Sequence, residues 1–414
     1  MSQQTSPRTA QQPRSLTSWR NAVFAIFFLS GLSLASWVSR VPAVRDDAGI
    51  ALDVVGLVIL GMSAGSVVGL VLAPWLLARV GARRAMIGCL LVVSVGLVII
   101  GIGSTVFGSV PVLIVGMALF GLGNGCVDVV MNVEGAEAER EIGKTLMPLM
   151  HAFFSFGTVT GAGLGALASA VGIPVLWHLV AISALIAIAV LVTVRFIPLR
   201  EAVGDDTRPA GSTAPRGPWR ERFAESLRVW ADVRLLLIGV VMLGMSFNEG
   251  AANDWLALAT VDGHGLSNTT GALMFGTFVT AMTIARIIGG PVLDRFGRVP
   301  VLRVSAALGI VGLSLFIWGG EPWMLFVGTA LWGLGCALGF PVGMSAAADD
   351  AKNSAARVSA VAIIGYCAFL AGPPLLGFLG ENLGILNALL VLLGLLVVAG
   401  LAAPAARERA RIKA

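Results

Sequence analysis

The sequence predicts an all-α membrane protein of twelve transmembrane helices in two pseudo-symmetric six-helix halves. Three observations carry this: composition, a recurring run length, and the placement of basic residues. Of 414 residues, 57% are hydrophobic and 12% charged, with mean hydropathy +0.90. A soluble domain is nearer half apolar and a quarter charged. Apolar runs long enough to cross a bilayer as helices fall at 20–42, 54–78, 85–103, 110–134, 146–170, 173–197, 233–258, 268–293, 300–319, 322–346, 357–380 and 383–404.

Residues 1–19 form a polar tail, and the segment after them is too long for a signal peptide and reads as a retained anchor. The first six spans make an N-terminal half over 20–197. A Pro-, Gly-, Ser- and Arg-rich linker at 198–232 separates it from a C-terminal half over 233–404, with a tail at 405–414. Of the 28 Lys and Arg, all but Arg40, Arg45 and Arg286 lie in the tails or in alternate connections, including Lys144 and Lys352. This is the positive-inside pattern, so both termini and the linker are expected in the cytoplasm, in a plasma (inner) membrane. The pI near 9.5 therefore reports topology and implies no nucleic-acid partner. Cys89, Cys126, Cys336 and Cys367 all fall in apolar spans, so buried free thiols are expected and no disulfide framework.

The halves resemble each other. ALFGLGNGCVDVVMN from Ala118 parallels ALWGLGCALGFPVGM from Ala330, a shift of 212; ARVGARR from Ala78 parallels DRFGRVP from Asp294, a shift of 216. GAGLGALASAVGI in the fifth span parallels GPPLLGFLGENLGI in the eleventh, a shift of 211. Near-constant offsets in one order predict a duplicated six-helix unit, an architecture of secondary transporters.

Asp294 to Arg298, preceded by Gly290, resembles the loop signature of the major facilitator superfamily. Its counterpart keeps Arg79, Gly81, Arg83 and Arg84, with Ala78 in place of the aspartate. The fourth-span pattern G-L-G-N-G-x-x-D-x-x-x-N resembles the fucose-permease-like branch. The segments NVEGAEAERE, AANDW, VDGHG and GPPLLG are similar to YbjJ-type bacterial inner-membrane proteins. The resemblance implies the major facilitator fold and a secondary transporter. That branch has an acidic residue in its first span; this chain has none before Asp46, and Glu249 is expected to take the second acidic role.

Asp128 and Asn132 share a face of the fourth span, where an ionisable group costs about 2.5–3.5 kcal/mol unless it faces a cavity or partner. Carboxyls removed from water bind protons more readily, so Asp128 is the expected proton carrier; the resemblance places Asn132 on the cavity wall. Arg286 in the eighth span and His151 in the fifth lie at similar depth. An Asp128–His151–Arg286 cluster is expected, with Glu249 as the further acidic group in proton coupling. In the seventh span Asn248, Glu249, Asn253, Asp254 and Trp255 are too polar for lipid contact, and Gly250 would ease a break there. With Trp37 of the first span, Asn132, Asn248, Glu249, Asn253 and Trp255 are the expected solute-binding residues; the resemblance implies that the first and seventh spans line the cavity, so Trp37 and Trp255 are expected to face each other. Arg40 and Asp254 are expected to pair as a gate. Arg79, Arg83, Asp294, Arg295 and Arg298 form the gating loops. Asp294 is expected to accept from the N-terminal amides of the fifth helix, and Arg295 and Arg298 to bind nearby carboxylates. Trp19, Trp318 and Trp323 read as interfacial anchors.

Gly61-Met-Ser-Ala-Gly65 fits a nucleophile-elbow pattern but lies inside a span, and Ile142-Gly-Lys-Thr145 lacks the first glycine and the strand of a P-loop. No enzyme activity, metal or cofactor is implied. The expected function is a monomeric, proton-coupled symporter of a small polar solute, with protons and the bilayer as its other partners. Gly157-x-x-x-Gly161-Ala-Gly163 resembles an antiporter motif without its proline, which makes proton-coupled efflux of a drug or metabolite the alternative. A non-transporting sensor or scaffold is the alternative of another class.

Overall fold

A bilayer leaves no water for backbone groups, so spanning segments close their hydrogen bonds within helices. A computed structural model of the chain describes residues 13–143, 146–199, 230–347, 349 and 354–408, and among them there are helices and no strands. Lys144, Lys352, most of the linker expected at 198–232 and the outer parts of both tails lie outside the described residues.

The first span is Pro13–Val38, followed by a short helix, Val41–Ala48. Leu52–Ile102 is two helices joined at a break at Gly81, giving the second and third spans. The fourth to ninth spans are Val110–Ile142, Met147–Ala170, Val175–Thr193, Val233–Leu258, Asn268–Phe296 and Arg298–Trp318. Pro322–Cys336 and Gly339–Ala347 together make the tenth, Ser354–Leu383 the eleventh, and Ile385–Ala388 with Leu390–Ala402 the twelfth. The expected break at Gly250 is absent, since the seventh span is continuous; it is the tenth span that breaks, after Cys336.

The duplication appears in the backbone. Gly81 (φ 75°, ψ 162°) and Gly297 (φ 77°, ψ 166°) hold the same left-handed conformation, 216 residues apart in the two repeat-related loops. A Cβ there is strained, which explains a glycine at both turns. Packing repeats as well. Gly121 lies on the backbone of Met62 and Gly333 on that of Phe278. A Cβ on Gly123 would come 2.7 Å from the Cys89 carbonyl oxygen, and one on Gly335 would come 2.6 Å from that of Ser305. Both members of each pair are shifted by the offsets read from sequence, so small residues set the same backbone-to-backbone crossings in both halves.

The halves meet through the second span against the eleventh and the fifth against the eighth. Those contacts lie toward the end opposite the basic loops: Gly56 packs on Pro373, Gly377 on Leu52, and Gly276 faces Ala162. Near the basic end, Leu149, Phe156, Ile284, Ile287, Ile288 and Ile363 are exposed. At that end the seventh span starts on Asp232, which accepts from the amides of Arg234 and Leu235 and pairs with Arg357. The Arg357 hydrogen bond, with those amides, holds the Asp232 carboxyl below its usual range.

Overpacking a close crossing costs about 1–3 kcal/mol. Gly121→Val is expected to lower the melting temperature in detergent by several degrees, while Gly163→Ala, whose Cβ meets nothing within 4 Å, leaves it unchanged.

Candidate functional site

In the fourth span Gly121 and Gly125 face the second span, and Gly123 faces the third. The polar stripe Asn124–Asp128–Asn132 therefore points elsewhere. Ser33 of the first span donates to Asn124 Oδ1 at 3.5 Å, which turns this stripe toward the first span. Asp128 is exposed although it sits well inside a span. Asn132 Nδ2 donates to the Asp128 carbonyl at 2.8 Å and to its carboxylate at 3.3 Å. Among the described residues no cation pairs with Asp128.

The expected Asp128–His151–Arg286 cluster is not assembled. Arg286 Nη2 donates to Glu249 Oε1 at 2.9 Å, and Nε donates to the Ala337 carbonyl at 3.3 Å. The guanidinium is bound by the seventh and tenth spans of its own half, because Glu249 lies closer along the same face than any group across the divide. His151 is exposed and packs edge-on to Phe27 of the first span at 5.3 Å.

The polar run of the seventh span divides by face. Asn248 is fully buried away from the partner half: it donates to the carbonyls of Gly244 (2.9 Å) and Leu392 (3.2 Å) and accepts from Trp332 Nε1 (3.2 Å). Its amide braces the seventh, tenth and twelfth spans, which removes it from the expected solute-binding set. Glu249 and Asn253 are partly exposed. Trp37 and Trp255 are buried to 2% and 0% exposure, so neither presents an open stacking face. The Trp255 ring edge lies against Gly377 of the eleventh span.

The expected Arg40–Asp254 gate is not formed. Arg40 donates to Ser169 Oγ at 3.1 Å and to the Ile173 carbonyl at 2.6 Å, both in its own half, and Asp254 has no ion-pair partner among the described residues. The cross-half pair is instead Arg45 with Asp262, bidentate at 2.5 Å for each nitrogen. Arg45 stands on the short helix after the first span, which carries its side chain across to the turn ending the seventh. Beside it, the Leu52 amide donates to Glu381 at 3.1 Å, again between halves.

At the basic end Arg298 grips Asp349 through both nitrogens, at 2.7 and 3.1 Å, and Ser345 at 2.9 Å. Its amide donates to Glu408 at 3.0 Å. Arg295 lies over Phe296 and Arg79 over Trp75, each without a carboxylate partner among the described residues. Arg83 is partly exposed. Asp294 is exposed and does not reach the fifth helix, because Glu139 already accepts from the Leu146 and Met147 amides at 2.6 and 2.8 Å.

Two further expectations are corrected. Trp19 is no interfacial anchor: it is buried and donates to the buried Glu134 at 2.8 Å, whereas Trp318 and Trp323 are 66% and 65% exposed. Cys367 is exposed, unlike the other three thiols. Sequence reasoning also missed Arg45 and Asp262, although Arg45 was one of the three cations that topology leaves over. A groove of about 440 Å³ at the seam of the fifth and eighth spans is lined by small, apolar and Thr side chains, with no charge to hold a polar solute. Among the described residues no group of three or more His, Cys, Asp or Glu is arranged to hold a metal.

A family model described as Major Facilitator Superfamily matches residues 23–267 and 250–413. The chain is 28% identical over 369 residues to "Uncharacterized transporter y4wD" of Sinorhizobium fredii, covering 89% of this chain and 92% of that protein. It is 26% identical over 378 residues to "Membrane protein MosC" of Rhizobium meliloti, covering 91% and 87%. Among solved structures, a variant of the nucleoside transporter NupG superposes with TM-score 0.75 at 15% identity, covering 94% of this chain and 99% of that one. A variant of the E. coli fucose:proton symporter FucP superposes with TM-score 0.62 at 16% identity, covering 96% and 100%. At such identities these structures show the shared fold.

The Arg45–Asp262 pair makes a direct prediction. A partly buried bidentate pair is worth about 1 kcal/mol, or roughly fivefold in a conformational equilibrium. With Cys367 replaced by Ser, maleimide labelling of Leu52→Cys is expected to accelerate about fivefold in Arg45→Ala, by the same reasoning. The exchange Arg45→Asp with Asp262→Arg should restore slow labelling.

Proposed function

The chain belongs to the Major Facilitator Superfamily, and on that premise we propose that this multi-pass membrane transporter carries a small polar solute by proton-coupled symport. The two halves rock about their shared seam, so that the solute space opens to one side at a time. The alternation of basic connections orients the chain in the inner membrane with both termini in the cytoplasm. The conformation described is then cytoplasm-facing: among the described residues the close cross-half contacts gather at the far end. The transporter works as a monomer, because each half supplies one wall of the site.

One observation carries this reading. Asp128 is an exposed carboxylate within a span, it has no cationic partner among the described residues, and it lies on the polar stripe that meets the first span at Asn124. Such a group is stable in water or with a proton. In the cytoplasm-facing state Asp128 meets water and releases its proton; with the space open to the other side it is loaded again. Asn132, bonded to the same carboxylate, and Asn253 and Glu249 across the space supply hydrogen bonds to the solute. Trp37 and Trp255 form the closed roof and become wall when the far end opens. His151, Glu249 and Arg286 complete the coupling group. Fucose:proton symport by FucP supports coupling to protons within this fold.

The loops at the basic end act as the opposite gate. Asp294 and Glu139 compete for the fifth-helix N-terminus, where the exposed amides favour one anion. Glu139 holds it here, which leaves Asp294 free; closure of the cytoplasmic side exchanges them. Arg298, fixed on Asp349, keeps its loop rigid, while Arg79, Arg83 and Arg295 are the mobile cations of the gate. Gly157 and Gly161 need no antiporter role, since each packs directly on the first span.

In proteoliposomes with an imposed inward proton gradient, Asp128→Asn is expected to abolish accumulation above equilibrium while leaving solute exchange at half the wild-type rate or more. A pH-sensitive dye inside the vesicles reads proton entry. Wild-type accumulation by Asp128→Asn would remove Asp128 as the carrier, and solute binding without flux in wild type would point to a sensor.

A further inference from the structure

Arg40, Arg45 and Arg286 are the cations that topology leaves unexplained, and two of them are spent on structure. Arg40 is 3% exposed and tied to a hydroxyl and a carbonyl, and Arg45 is held by Asp262 through both nitrogens. Arg286 differs. Its side chain is 37% exposed, and the bond to Glu249 uses Nη2 alone, at 2.9 Å. Nε is taken by the Ala337 carbonyl, at 3.3 Å. Nη1, with two N–H donors, has no partner among the described residues. Glu249 is the more covered member of the pair, at 15%. The open face of this ion pair is therefore its cationic one.

The unpartnered N–H donors of a guanidinium form charge-assisted hydrogen bonds to an oxyanion such as a carboxylate. We propose that the solute carries a carboxylate, bound by the free Nη1 edge of Arg286, and that it is an organic acid bearing hydroxyl groups for Asn132 and Asn253. This rests on the proton-coupled reading above and explains why coupling arises. The titratable groups that face or border this space are Asp128, His151, Glu249, Asp254 and Arg286, with the thiols Cys336 and Cys367 on the tenth and eleventh spans. Glu249 and Arg286 cancel, which leaves Asp128 as the exposed carboxylate without a counter-ion. A solute anion adds a second negative charge to a space of low dielectric, and that charge is accommodated when Asp128 carries a proton. Anion and proton thus bind together, and they cross as a neutral pair. A cationic solute would do the opposite, displacing the proton from Asp128 and turning the cycle into exchange.

The probes are D-gluconate, gluconamide and glucosamine, with lactate and lactamide as a smaller pair, tested on the purified full chain. Gluconate or lactate is expected to raise the melting temperature, more at pH 5.5 than at pH 7.5, while its amide and the amine do not. Arg286→Lys keeps the charge but loses the fork, and should weaken carboxylate binding about tenfold or more. Gly163→Ala, whose Cβ meets nothing within 4 Å, should bind as tightly as wild type, and an unchanged ligand-free melting temperature of Arg286→Lys guards against a general loss of folding. In vesicles, the binding carboxylate is expected to carry a proton inward at a rate unaffected by a potassium–valinomycin potential. Equal binding of the amide, proton release on binding of the amine, failure of both carboxylates to bind, or unchanged affinity in Arg286→Lys would each overturn the carboxylate assignment. If an amide or amine instead moves protons through Asp128, the carboxylate fails and the transporter reading stands. A carboxylate that binds at Arg286 and moves no proton leaves the anion site intact and overturns the coupled-transport reading.

Discussion

A charged side chain within a bilayer span needs a counter-ion, a ring of hydrogen-bond partners, or water, because bare burial costs several kcal/mol, about 2.5–3.5 by insertion scales. Four groups face that demand here and meet it in different ways. Arg40 is satisfied by neutral oxygens of its own half, and becomes part of the packing. Arg45 takes Asp262 across the divide and seals one end. Arg286 takes Glu249 but keeps one edge open. Asp128 has only the Asn132 amide and water-accessible surface. The proposed roles of seal, binding edge and proton carrier rest on which of these three solutions each residue finds.

The scaffold around those charges is a repeated unit held by small residues. Gly121 with Gly123, and Gly333 with Gly335, let helix backbones touch at crossings that superimpose under the sequence offsets. Such close crossings tie the helices of each half together, which suits the proposed rocking of the halves as bodies. The repeat is least symmetric at the gates. Ala78 stands where Asp294 stands in the second half, and the Arg298–Asp349 grip lies within the second half. Glu139 holds the fifth-helix amides that Asp294 would otherwise reach. In the proposed cycle one gate works by exchange of anions at a helix end, and the other centres on the Arg45–Asp262 pair beside the Leu52–Glu381 hydrogen bond.

The spans, the two halves and their offsets were legible because hydropathy and glycine spacing are local signals, readable along one chain. Partner choice was not. Asn248 and Glu249 are adjacent in sequence yet point about 100° apart around the helix, one into the bundle and one toward Arg286. The short helix at Val41–Ala48 gave the cross-half reach to Arg45 instead of Arg40, and nothing in the residue types signals that turn. Trp19 and Trp318 have the same composition and similar positions near span ends; only the buried Glu134 carboxylate distinguishes them. Hydropathy tells that a residue is in a span, and the face it occupies depends on neighbours distant in sequence.

The central claim is that the two ends open reciprocally and that the proton on Asp128 biases them. Pulsed electron–electron resonance distances between spin labels test it most directly. One pair would join the halves at the Arg45–Asp262 end, at positions 50 and 382, and the other would join them at the basic end, at positions 149 and 363. Between pH 8 and pH 5 in lipid nanodiscs, the account predicts that one pair lengthens as the other shortens. In Asp128→Asn both distributions should be fixed across that range. Pairs that lengthen together, or a pH response preserved in Asp128→Asn, would contradict it.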